Sequence, residues 1–311
     1  MLRNTNSEHL KFLDSWEKAA RDVGIPQEAY QPRVRVIKDD SGNSGYSFGI
    51  ILNPYRTSRP SDPTKNVLDC PLCQGLVEAE SRPVRRLDKQ FPLEGYAVIP
   101  NKFPTIKGHT MAVTNGIKEG EVPMYSTKSL EGVAEELEKM SSYASRLGLQ
   151  AFHNSEGAGA SIPNHEHWHL TNWEETLVRA GEFYGFEAAD IEPVSRASRI
   201  GTMPGFPFAH LVFDQTSSDR IVSFLSRLSR KIGRDYDNGA VPHAICQGSL
   251  GVLVVPYKKY VGKGSIGSGD VAGHIPVKER EQFETVTYEF CLAKLRTQLF
   301  SKDEIDLEKF L

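Results

Sequence analysis

Three histidines separated by single residues, His165, His167 and His169, constrain this chain more than any other feature. In an extended segment, side chains two residues apart project from one face, roughly 7 Å apart along the chain. HEHWHL (165–170) is therefore expected to be a strand that points three imidazoles into one place. Just upstream, NSEGAGASIPN (154–164) places Asn154, Gly157, Gly159 and Ser161 in a loop of small residues able to bring backbone N–H groups close to an anion.

A nucleophilic imidazole accounts for this pattern. To attack phosphorus it must be neutral, with its other nitrogen held by an acceptor that fixes the tautomer. Flanking donors then stabilise charge on the phosphoryl oxygens as the leaving group departs. The central His167 is the expected nucleophile, with His169 and Ser161 as donors and Asn154 orienting the loop or the phosphate. A lone histidine on a strand is ordinarily packing or surface; three in alternation are harder to read that way. A zinc hydrolase using all three in an open metal site is a rival reading.

The surrounding sequence reads as α+β. A leading helix is expected over 5–24, with Leu10, Leu13, Trp16, Ala20 and Val23 inward. Strands follow at 33–37 and 46–52, then at 96–100 and 109–114. A helix from about Thr127, closed by Gly148, precedes the strand AFHN (151–154) and the histidine strand. The pattern then recurs: strand 208–213, helix 218–232, strands 243–247 and 251–256, and a final helix from Val277 to Phe300. Strand, helix, strand, strand thus occurs twice. The expectation is two related halves, 1–195 catalytic and 196–311 degenerate and closing the site, built on mostly antiparallel sheet.

Composition narrows the partners. With 37 basic and 40 acidic side chains among 311 residues, the chain is not one that coats nucleic acid or a membrane surface. The start lacks a signal-peptide core, and no apolar run reaches about 18 residues, so a cytoplasmic protein is expected, monomeric or homodimeric. Cys70 and Cys73 have the Cys-x-x-Cys spacing that favours metal or redox chemistry in such a chain. Cys246 and Cys291 read as buried apolar residues.

The segment Asn154-x2-Gly-x-Gly-x-Ser-x3-His165-x-His167-x-His169 resembles the active-site segment of the histidine-triad superfamily. It is most similar to the branch of galactose-1-phosphate uridylyltransferase and the nucleotide phosphorylases. VIPNKFPTIKGHTMAVT (98–114), LNPYRTSRP (52–60) and DVAGHIPVK (270–278) also resemble segments of that branch, in the same order. The resemblance implies two triad-like halves and a covalent nucleotidyl intermediate on His167. It implies contacts from Asn154, Ser161 and Gly159 to the α-phosphate, His169 in the triad's third position, Arg56 and Arg59 near the phosphates, and Asn101 beside the nucleoside. Uridylyltransferases and diadenosine phosphorylases carry Gln at that third position; His169 instead matches the hydrolases and GDP-hexose phosphorylases.

In zinc-containing relatives the cysteine pair is joined by the first triad histidine. The resemblance therefore implies a structural zinc at Cys70, Cys73 and His165, with Glu119 or Glu121 open as a fourth ligand; a reduced pair at a tight turn is the alternative. No organic cofactor is expected. The glycine-rich GKGSIGSGD is no Walker loop; the resemblance places it over the sugar phosphate, with Asp270 accepting sugar hydroxyls. The expected activity is phosphorolysis or transfer on a nucleoside diphosphate hexose. Dinucleoside polyphosphate phosphorolysis and triad-type hydrolysis are the near alternatives; a zinc hydrolase and a regulatory nucleotide-binding module are the distant ones.

Overall fold

The computed structural model describes residues 7–38, 47–58, 72, 85–114, 130–155, 158, 167–172, 192–195, 200–203, 206–214, 218–232, 241–248, 251–258 and 266–311. Twelve strands form two sheets among these residues. The larger has nine strands in the order β3 (Tyr96–Pro100), β4 (Thr110–Thr114), β6 (His167–Thr171), β5 (Gln150–Asn154), β10 (His243–Gly248), β11 (Gly251–Pro256), β9 (Leu211–Phe213), β8 (Ile200–Thr202), β7 (Glu192–Ser195). Every pairing in it is antiparallel. The smaller sheet joins β1 (Arg33–Lys38), β2 (Ser47–Leu52) and β12 (His274–Val277), the last parallel to β2.

The strand order is a palindrome of the repeated unit. β3-β4-β6-β5 is mirrored by β8-β9-β11-β10, with β5 and β10 paired at the centre. Each unit sends one long helix over the same face, α2 (Leu130–Leu147) and α3 (Ser218–Ile232). Aligning the starts of β4 and β9 and following the registers makes Leu253 the counterpart of His169, and Gly251 that of His167. The same alignment makes Cys246 the counterpart of Phe152, and these two residues pair with each other, so the pseudo-two-fold axis passes between them. The second unit cannot recover a nucleophile there: Gly251 has φ +149°, and a Cβ would meet the Phe213 carbonyl oxygen at 2.4 Å.

Alternation along the strands gives the sheet two different faces. Ala151, Trp168, Leu170, Ile245 and Val254 face α1 (Ser7–Asp22), α2 and α3 in one core. Phe152, Val212, Ala244, Cys246, Leu253 and Val255 face the small sheet and the C-terminal helices in another. His167, His169 and Asn154 belong to this second face, which turns them away from α1, α2 and α3.

Three expectations differ from the structure. Leu10 is not inward but 49% exposed. The buried stripe of α1 is His9, Phe12, Leu13, Trp16, Ala19 and Ala20, and Leu10 lies about 160° around the helix from Phe12. The final helix from Val277 to Phe300 is three elements instead: β12, α5 (Arg280–Thr285) and α6 (Tyr288–Arg296). Val277 is held in the ladder opposite Leu52. Val286 is extended, Thr287 caps α6 by accepting from the Phe290 N–H at 3.2 Å, and Arg35 donates to the carbonyls of Phe283 and Val286 at 2.8 and 2.6 Å. The break is thus stabilised from β1, across the fold. The expected strand 208–213 also shortens to β9, with Phe208 bridging to Ser301.

Candidate active site

His167 and His169 lie on one face of β6 with ring centroids 5.0 Å apart and planes inclined at 76°. The register sets Val113 opposite His167, and both Met111 and Phe152 beside His169. His167 is buried, at 3% exposed, while His169 is half-buried. The intervening Trp168 points the other way into the helical core, stacked on His153 at 4.7 Å. Continuing the β5–β6 register two residues beyond Phe152 puts Asn154 opposite His167.

A third ring completes the group. His109, immediately before β4, sits with Nε2 3.0 Å from His169 Nδ1, and the two ring centroids are 5.2 Å apart. The Thr105 backbone N–H donates to His109 Nδ1 at 3.1 Å. On the other side of the ring, Nε2 lies 3.0 Å from both His169 Nδ1 and Asn101 Nδ2, and the Asn101 oxygen accepts from the Phe103 N–H. No pattern around the alternating trio singles out His109. Its signal was the GHT step, but its distance from His169 depends on the β4–β6 register.

The turn bearing His109 is fixed from α1. Trp16 Nε1 donates to the His109 carbonyl at 3.0 Å, Glu17 pairs with Lys107 at 2.7 Å, and Gly108, at φ +83°, lies so close to Leu13 that a Cβ would come within 2.9 Å of it. Glycine is required there for both reasons. Asn101 reaches the group through His109, and Arg56 Nη1 donates to the Phe103 carbonyl at 2.8 Å, fastening its segment to the same turn.

Asp270 does not stand free for a sugar. It accepts from the Gly267 N–H at 3.0 Å, at the start of α4 (Ser268–Val271), and pairs with Lys294 at 3.0 Å. Asn154 Oδ1 accepts from the Ser268 N–H at 2.5 Å. Ser161, Gly159, Arg59, Cys70, Cys73 and His165 lie outside the described residues. Among the described residues no group of three His, Cys, Asp or Glu could hold a metal ion. Cys246 and Cys291 are buried free thiols, both pushed up by burial, Cys291 to about 11.

Other histidines are buried as neutral rings. His210, just before β9 as His109 is before β4, donates from Nδ1 to the Phe208 carbonyl and accepts from the Met203 N–H, both at 2.7 Å. Burial pulls it down to about 4, and His274, 6.1 Å from Phe152, to about 3.

No family description and no curated protein matches the sequence. The structure superposes on that of yeast Ap4A phosphorylase Apa2, over 93% of this chain and 92% of that one, with a TM-score of 0.58 and 16% identity. The fold is that of this Ap4A phosphorylase. The same phosphorylase in complex with Ap4A gives a TM-score of 0.57 at 15% identity, covering 93% of this chain and 95% of that one. In complex with AMP it gives 0.54 at 15% identity, covering 90% and 91%. The α+β architecture with a repeated unit, expected from the motifs, is present in the sheet order, and the fold as a whole is shared with this phosphorylase. No helix among the described residues is long and apolar enough to cross a membrane.

Proposed function

We propose that this chain is a nucleotidyltransferase of the phosphorylase type, moving a nucleoside monophosphate through a covalent intermediate on His167. The observation that supports this most is the 3.0 Å contact between His109 and His169 beside the buried His167 ring. In the first step a ring nitrogen of His167 forms a bond to the α-phosphorus of a nucleoside diphosphate hexose. The bond from that phosphorus to the bridging oxygen breaks, and hexose 1-phosphate leaves with the electron pair. The His169 Nε2–H and the Asn154 amide act as donors to the phosphoryl oxygens. In the second step inorganic phosphate attacks the same phosphorus, the P–N bond breaks, and a nucleoside diphosphate is released.

His169 in the third triad position favours the hexose donor by its resemblance to the GDP-hexose phosphorylases. The similarity of the whole fold to an Ap4A phosphorylase favours a dinucleoside polyphosphate as the second reading, by the same two steps. Residues 1–195 would supply the histidines, and 196–311 would close the site. Arg56 and Arg59 would meet the phosphates, Asn101 the nucleoside, and Ser161 and Gly159 the α-phosphate. Cys70, Cys73 and His165 would hold a structural zinc; about one zinc per chain in metal analysis, lost in Cys70→Ser, is the expected result, and no zinc would refute it.

A panel of nucleoside diphosphate hexoses and dinucleoside polyphosphates, incubated with and without phosphate, tests the function. Phosphate-dependent release of hexose 1-phosphate and nucleoside diphosphate is expected. Phosphate-independent release of nucleoside monophosphate would identify a hydrolase instead.

A further inference from the structure

Asn154 is the last residue of β5, and Ser268 is the first of α4, 114 positions later. An amide side chain has a donor end and an acceptor end of nearly equal size, and its neighbours decide which end faces a ligand. Here the neighbour is a backbone N–H, which can only donate. It lies 2.5 Å from Oδ1, so the carbonyl end of Asn154 is committed to the C-terminal segment. Among the described residues the NH2 end makes no hydrogen bond, and it stands on the sheet face that carries His167 and His169. Asn154 is 9% exposed, so water cannot readily exchange the two ends.

The C-terminal segment is itself anchored at that place. Cys246, which pairs with Phe152 across the pseudo-two-fold axis, donates from Sγ to the Ser268 carbonyl at 3.3 Å. Asp270 holds the Gly267 N–H, and a Cβ at Gly267 would lie 3.4 to 3.7 Å from three atoms of the Asn154 amide. The turn Gly267–Ser268 is thus laid directly on the amide by contacts from the second unit.

We propose that the Ser268 N–H is the positioning group that turns the Asn154 amide so that Nδ2, not Oδ1, faces the phosphoryl group at His167. An oxygen in that place would repel a phosphate, while a donor attracts it. The glycine-rich segment then serves the chemistry through one backbone donor, and Asp270 serves by holding the turn. This rests on reading Asn154 as a donor to the α-phosphate.

Ser268→Pro removes that one donor. Proline suits the first position of a helix, and the preceding Gly267, at φ −115° and ψ −177°, has the extended backbone that precedes proline readily. The proline Cδ replaces the hydrogen and forces Oδ1 away. In 15N-labelled protein the Asn154 side-chain amide resonances, identified by their loss in Asn154→Asp, should move in Ser268→Pro and stay in place in Ser268→Ala, which keeps the N–H. The Kd of the tightest-bound among AMP, GMP and UMP should rise roughly 10- to 100-fold in Ser268→Pro, as expected for a lost charge-assisted hydrogen bond. Unmoved Asn154 resonances, or moved resonances with an unchanged Kd, would overturn the proposal. Should Ser268→Pro not fold, Asn154→Leu must shift the Ser268 backbone amide proton; no shift would overturn it equally. Failure of all three nucleotides to bind the native protein would count against the site's function, while the resonances would still decide the orientation.

Discussion

Replacing His109 by Phe tests the hydrogen-bond relay where it meets the chemistry. The ring volume is nearly kept, but four contacts to the ring nitrogens are lost. His169 Nδ1 and Asn101 Nδ2 lose Nε2 at 3.0 Å, and the Thr105 N–H and hydroxyl lose Nδ1 at 3.1 and 3.0 Å. Thr105 is buried, so its orphaned N–H should cost about 1–3 kcal/mol of stability. The effect on rate comes from His169, which can then carry its proton on either nitrogen or turn its ring. A misdirected neutral hydrogen bond in a buried site is worth about 1.4–2.7 kcal/mol in the barrier, or roughly 10- to 100-fold in the rate of nucleotidyl transfer. Rapid-quench measurement of the first turnover, at saturating donor, separates this from binding: kcat should fall while KM moves little. A variant that is destabilised yet forms the adduct within about twofold of the native rate would refute the relay.

Acid should unfold this protein earlier than its carboxylates alone would require. His210 and His274 have folded-state values of about 4 and 3, below their ordinary 6.5, and burial also lowers His243. A depressed histidine favours the neutral folded form, so its stability is fully present above about pH 6.5. It is lost as pH falls from there toward 4, by up to about 1.4 kcal/mol per pH unit for each ring; equal urea midpoints at pH 7 and 5 would contradict this. Gly251→Ala should cost about 3 kcal/mol, because the added Cβ meets the Phe213 carbonyl at 2.4 Å in a left-handed conformation, and an unchanged melting temperature would refute that geometry. Thr287→Val removes the cap of α6 and should lower stability by about 1 kcal/mol in urea titration; no change would mean that the Arg35 contacts alone hold the break.

Much of the fold was legible because its signals are local. Alternating His167 and His169 demanded one strand face, and the repeated strand, helix, strand, strand order foretold a sheet of two units. The stripe of α1 was misplaced because Leu10 is as apolar as its neighbours, and only the tertiary contact with the sheet chooses the buried side. The break near Val286 was missed because Arg35, some 250 residues earlier, satisfies its carbonyls. The site shows the same division. Spacing alone put His167, His169 and Asn154 on one sheet face, but His109 meets His169 across 60 residues, and Ser268 meets Asn154 across 114. Such partners depend on strand register and on a C-terminal segment folding back, which no local pattern encodes. The engagement of the Asp270 carboxylate by Gly267 and Lys294 depends on the same folding back.

The central claim is that His167 becomes bonded to phosphorus. Quenching the protein in alkali after mixing with a radiolabelled donor, without phosphate, and mapping the modified peptide by mass spectrometry tests it directly. One nucleoside monophosphate per chain is expected on His167, acid-labile, discharged to nucleoside diphosphate by added phosphate, and absent in His167→Gly. Full turnover by His167→Gly, or an adduct on any other residue, would contradict the account.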